Sequence, residues 1–158
     1  MGRMYSVEFE NVTVSAAQDL FALKPATDKP IEIHAVYLDQ ISDVGDAAEE
    51  MLRLRIIRGH TTIGSGGANP TPARLAGTEV ASGITTNSRT NDTTIASSGT
   101  PINLHSGAFN IRTGWVYQPT PECRPGCAEN NGFIVVRLMA APADPVVMSG
   151  TLYYEEVA

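Results

Sequence analysis

Between Tyr5 and Val14 the chain alternates, with Tyr5, Val7 and Phe9 on one face and Ser6, Glu8 and Glu10 on the other. A two-residue period with one polar side predicts a half-buried β-strand over 5–14. "QDLFALKP" predicts a short strand stopped by Pro25, with "ATDKP" as a turn. Residues 31–41 form the longest predicted strand. Its alternation sets Ile31, Ile33, Ala35 and Tyr37 against Glu32, His34, Val36 and Leu38. "MLRLRIIRG" predicts a strand with Leu52, Leu54 and Ile56 inward and Arg53 and Arg55 outward. Later strands are expected at Phe109–Ile111 and Trp115–Tyr117, across "GFIVVRLMA" and across "VMSGTLYYEEV".

No segment longer than about two turns carries a helical period. Eight or more strands joined by Gly, Pro and Asp turns predict an all-β fold, an antiparallel, jelly-roll-like β-sandwich. Residues 1–158 read as one domain, because the first and last predicted strands are long, alternating and aromatic. Inside it lies a segment of a different kind, residues 58–107, rich in Gly, Ser, Thr and Asn and poor in apolar pattern. It reads as a long inserted loop or arm. Runs such as "ITTNSRTNDTTIA" suit extended backbone that gains order by pairing with a sheet edge. Its expected partner is a sister subunit or another protein surface.

Composition narrows the function classes. The chain is 42% apolar and 18% charged, the latter below a typical ~25%. Its net charge of −6 and scattered arginines offer no basic face for nucleic acid. There is no 18-residue apolar run, so neither a membrane span nor a membrane partner is expected. "MGRMYS" formally fits the pattern for N-terminal lipidation, yet Val7–Phe9 already read as strand, and a chance match is the simpler reading. The acceptor-like "NVT" at 11–13 and "NDT" at 91–93 are read as chance matches too.

The motifs that would carry catalysis are incomplete. "GSGGANP" at 64–70 has glycines for an anion cradle, but Asn69-Pro70-Thr71-Pro72 follows instead of a Lys and a helix. His34, His60 and His105 would need to converge with Glu32 to form a β-barrel metal site, and a lone strand His is more often structural. Asp43, Asp46, Glu49 and Glu50 lack the spacing of a calcium loop. Cys123 and Cys127 flank Arg-Pro-Gly in a turn that would bring the sulfurs together. Free thiols or a local disulfide are the main readings, ahead of half a zinc site or a redox pair. No enzyme activity, metal or cofactor is expected.

The run "GDAAEEMLRLRIIRGHTTIGSGG", the segment "AFNIRTGWVYQPTPE" and the ending "APADPVVMSGTLYYEE" resemble a group of small proteins encoded among the structural genes of tailed bacteriophages. The resemblance covers most of the chain, and the Cys123/Cys127 turn departs from some members. It implies a virion component made in the host cytoplasm: a head decoration or cement protein, commonly a homotrimer, bound to the major capsid protein on the capsid surface. A tail, baseplate or head-fibre component, including a carbohydrate-binding adhesin, is the alternative. Trp115 with Tyr117, and Arg53 with Arg55, are the candidate interface anchors, since aromatics and Arg dominate desolvated interfaces. Each also fits a core or a solvated strand face.

Overall fold

The computed structural model describes residues 2–42 and 50–157. Its strands are β1 (Arg3–Val14), β2 (Gln18–Leu23), β3 (Ile31–Gln40), β4 (Met51–His60), β5 (Ala73–Arg74), β6 (Ser88–Asp92), β7 (Ile102–Asn110), β8 (Trp115–Tyr117), β9 (Gly126–Cys127), β10 (Phe133–Leu138) and β11 (Val146–Glu156). All pairings are antiparallel. The first sheet runs β5-β1-β11-β3-β8, with β9 also on β3, and the second runs β6-β2-β10-β4-β7.

Without the short strands β5, β6 and β9, the sheets reduce to β1-β11-β3-β8 and β2-β10-β4-β7. Successive strands cross from one sheet to the other at every step except β4 to β7, which are hydrogen-bonded neighbours. That is the winding of a jelly roll. The core between the sheets is built from inward residues of both, among them Tyr5, Phe9, Phe21, Ile33, Leu54, Val136 and Tyr154.

Bulges explain where simple alternation misassigns faces. In β3 the register shifts so that Ala35 faces Tyr153 while Ile33 faces Tyr154, leaving His34 as an extra residue. Every side chain beyond it changes face. Val36 and Leu38 are therefore buried, and Tyr37 turns outward, opposite to the expected arrangement. In β1 the shift between Phe9 and Val12 passes through Asn11, whose φ is 52°.

The segment expected to be an arm is a strap bound to its own domain. β7 begins at Ile102, so the last residues of the predicted loop belong to a strand whose exposed faces hide it from hydrophobic patterning. Residues 61–101 leave β4 and are drawn together by bridges at Thr62–Ser97, Ser65–Thr94 and Ala68–Thr90. They supply β6 to the edge of β2 and β5 to the edge of β1. Ala96 packs with Ala22, Ile57, Phe133 and Val135, a cluster separate from the main core. Ile84 enters the main core. The strap thus covers the outer side of β2 and β10 in the second sheet, which is why all six residues of each are buried.

Buried polar contacts hold the strap where apolar area is scarce. Arg137 Nε donates to Asp19 Oδ1 at 2.6 Å, Arg137 Nη2 donates to the Ala96 carbonyl at 3.0 Å, and the Ala96 N–H donates to Asp19 Oδ2 at 2.7 Å. At the first sheet, Ser82 Oγ and the Gly83 N–H both donate to Glu156 Oε1, at 2.6 and 2.7 Å. The Tyr5 hydroxyl donates to the Val80 carbonyl at 2.9 Å. Unpaired, these groups would oppose folding; paired, they give the strap a single position.

Candidate binding face and metal-ligand cluster

The two outer faces are unequal. The strap covers β2 and β10 of the second sheet and leaves the outer side of β4 and β7 open at Arg53 and Ala108, whereas the outward residues of the first sheet, including Ser6, Glu8, Glu32, His34, Tyr37, Val116, Thr151 and Tyr153, are half-buried or exposed. Tyr37 and Tyr153 meet edge to face with ring centroids 6.0 Å apart. The Gln118 amide donates to the Tyr37 hydroxyl. Val116 of β8, directly opposite Tyr37, is 63% exposed. Tyr37, Tyr153 and Val116 therefore form an apolar patch on a sheet face that also carries Glu8, Glu32 and Glu155.

Beside it lies a charged cluster. Glu32 of β3 and Glu155 of β11 are directly opposed across the ladder. The bulged His34 sits on the same face as Glu32, with Nε2 2.6 Å from Glu155 Oε2. Glu155 Oε1 also accepts the Gly2 N–H at 2.8 Å, which orients its carboxylate. Glu32 and His34 are two residues apart in the sequence. Glu155 lies 121 residues beyond His34, and only strand pairing brings it there.

The other two histidines do not join this cluster. His60 is buried beside the strap, Nδ1 3.1 Å from the Ser98 carbonyl oxygen. His105 lies in β7 against Tyr117 and Trp115, at ring distances of 4.5 and 6.2 Å. Trp115 stacks on Tyr117 at 5.5 Å and is buried in the main core, so it closes the sandwich between the β7 and β8 edges instead of standing ready for a partner. This corrects its reading as an interface anchor; Tyr117 is half-buried against the same core. Arg53 is exposed and Arg55 half-buried, both on the outer face of the second sheet. Arg55 faces Arg137 on one side and Ser106 on the other.

The thiols are free and unlike. Cys123 is exposed in the turn at Pro121–Cys123, and Cys127 is buried in β9. The turn does not bridge them, because pairing of Cys127 with Ile31 commits its side chain to the core. Burial pushes the Cys127 thiol up to about 11. Burial likewise raises Tyr154, whose hydroxyl lies 2.6 Å from Ser82 Oγ.

The glycine-rich run is accounted for within the chain. The Gly67 N–H donates to Asp92 Oδ1 at 3.0 Å, so a carboxylate of the strap takes the place of an external anion. Of the loop acids, Glu50 accepts the Ala143 N–H at 2.6 Å. Asp43, Asp46 and Glu49 lie outside the described residues.

No protein-family model and no curated protein matches the chain. Among solved structures it is similar to the infectious bursal disease virus VP2 subviral particle, at 14% identity and a TM-score of 0.16. That match covers 99% of this chain and 40% of the other, and a TM-score so low carries no argument about fold or function.

Proposed function

We propose that this protein is a non-enzymatic virion component that binds an assembled phage head and stabilises it, acting through the outer face of the first sheet. The observation that carries the reading is the inequality of the two outer faces. One is occupied over β2 and β10 by the chain's own strap, and the other leaves Tyr37, Tyr153 and Val116 accessible. Aromatic side chains on rigid strands add contact area at small entropic cost. A protein that binds only the assembled lattice stabilises it by mass action, and a trimeric arrangement would multiply the contacts by avidity.

Sedimentation with empty heads tests this. The purified protein is expected to co-sediment and to be found in particles at a copy number on the order of the shell subunits. Val116→Asp is expected to abolish binding while the protein stays folded. Light scattering of the free protein reads the trimer. Absence from heads, or a few copies confined to the tail, overturns the reading.

The edge-to-face Tyr37–Tyr153 pair, with the Gln118 amide at its rim, favours a second reading as a carbohydrate-binding fibre or baseplate adhesin. Binding to a glycan array that is lost in Tyr37→Ala, with no affinity for heads, would select it.

A further inference from the structure

Glu32, His34 and Glu155 each offer one ligand atom, and these atoms lie within 4.8 Å of one another. Two carboxylates directly opposed across a ladder repel, which disfavours the pairing unless a cation sits between them. The bulge at His34 puts an imidazole beside that pair, and the Gly2 N–H holds one carboxylate in place. Bulges recur next to functional sites because they re-aim a side chain.

We propose that Glu32, His34 and Glu155 form a binding site for a divalent transition-metal ion of the zinc type. One imidazole nitrogen and two carboxylate oxygens are the borderline donors such an ion takes, whereas calcium wants six or more oxygens and magnesium a near-ideal octahedron. Donors about 2.0–2.1 Å from a tetrahedral ion lie about 3.3 Å apart, so the 2.6 Å contact between His34 and Glu155 must open by under an ångström. Both side chains are partly exposed, at 20% and 18%, which leaves room for that movement. The Gly2 N–H on Glu155 is the outer contact that orients a ligating carboxylate. A fourth position faces outward, open to water or to a donor from a bound partner. This inference stands independently of the proposed function.

The test titrates zinc into the Cys123→Ser protein, which removes the exposed thiol as a competing ligand, using calorimetry and thermal unfolding. One zinc per chain and a zinc-dependent rise in melting temperature are expected, with no rise from magnesium or calcium. His34→Gln and Glu32→Gln, each checked for native circular dichroism, are expected to weaken zinc binding at least about tenfold. Absence of stoichiometric zinc binding overturns the proposal. So does equal affinity in both variants, or an equal response to magnesium.

Discussion

Arg137 and Asp19 sit directly opposite each other across the β10–β2 ladder, Nε 2.6 Å from Oδ1, sealed beneath the strap by Ala96. The Asp19 side chain is fully buried and that of Arg137 is 10% exposed. On its other flank Arg137 faces Arg55, so Asp19 is the group that neutralises it. The pair is also the clasp of the strap, since both Asp19 and Arg137 hydrogen-bond the Ala96 backbone.

Asp19→Ala is therefore expected to destabilise the protein by about 3–5 kcal/mol, because it leaves a buried guanidinium without its counter-charge. The same variant should be cleaved by protease within 61–101 under conditions where the parent resists. Asp19→Ala combined with Arg137→Met should recover a large part of the loss, since no charge then remains buried there. Urea unfolding measures the first effect and limited proteolysis the second. Cleavage of the parent at the same rate would show that the clasp does not hold the strap.

The two cysteines should separate by reactivity and by pH. At pH 8 a thiol reagent is expected to modify Cys123 in the folded protein and to reach Cys127 only on unfolding. In the unfolded chain Cys127 ionises near its ordinary 9.0, and in the fold only at about 11. The raised value favours the folded state fully below pH 9, and that preference is lost as pH climbs toward 11. The loss is about 2–3 kcal/mol at 1.36 kcal/mol per unit. Comparison with Cys127→Ala isolates it, because the buried tyrosines remain in both proteins. Parallel curves for the two proteins between pH 9 and 11 would contradict the assignment.

Gly59 has a φ of 123° at the bulge where β4 meets Phe133, and a Cβ there would lie 2.2 Å from the Thr100 carbonyl oxygen. Gly59→Ala is expected to cost about 1–3 kcal/mol from backbone strain and the clash together. The chevron or equilibrium midpoint should shift, and a midpoint equal to the parent's would mean that the strap root relaxes freely.

Trp115 should act on stability. Trp115→Ala removes a core side chain that closes one side of the sandwich, with an expected loss of about 3–5 kcal/mol. The native fluorescence of this single Trp should be blue-shifted and should move red on unfolding. A red native emission together with unchanged stability would return Trp115 to the list of surface anchors.

The alternation in β1 before its bulge, in β4 and in β11 was legible because each buries one face against the core and leaves the other polar. In β3 the strand itself is legible, but its faces after His34 are not. A bulge depends on the partner strand, here Tyr153 and Tyr154, and leaves no mark in local periodicity. β7 upstream of Phe109 is not legible, because an edge strand with two accessible faces carries little apolar pattern. The candidate cluster was half legible: Glu32 and His34 share one strand face, while Glu155 comes from the far end of the chain.

Sequence alone determined the all-β class and the inward row of β4, since these follow from local period and turn chemistry. Tertiary structure decided what the Gly/Ser/Thr-rich segment binds. Burial of Asp19, Arg137 and Glu156 under it gives a polar strap more stability at home than its sparse apolar residues suggest. Tertiary pairing alone also left the first sheet's outer face open and set His34 beside two opposed glutamates, because contacts between strands far apart in the chain are written in no single stretch of it.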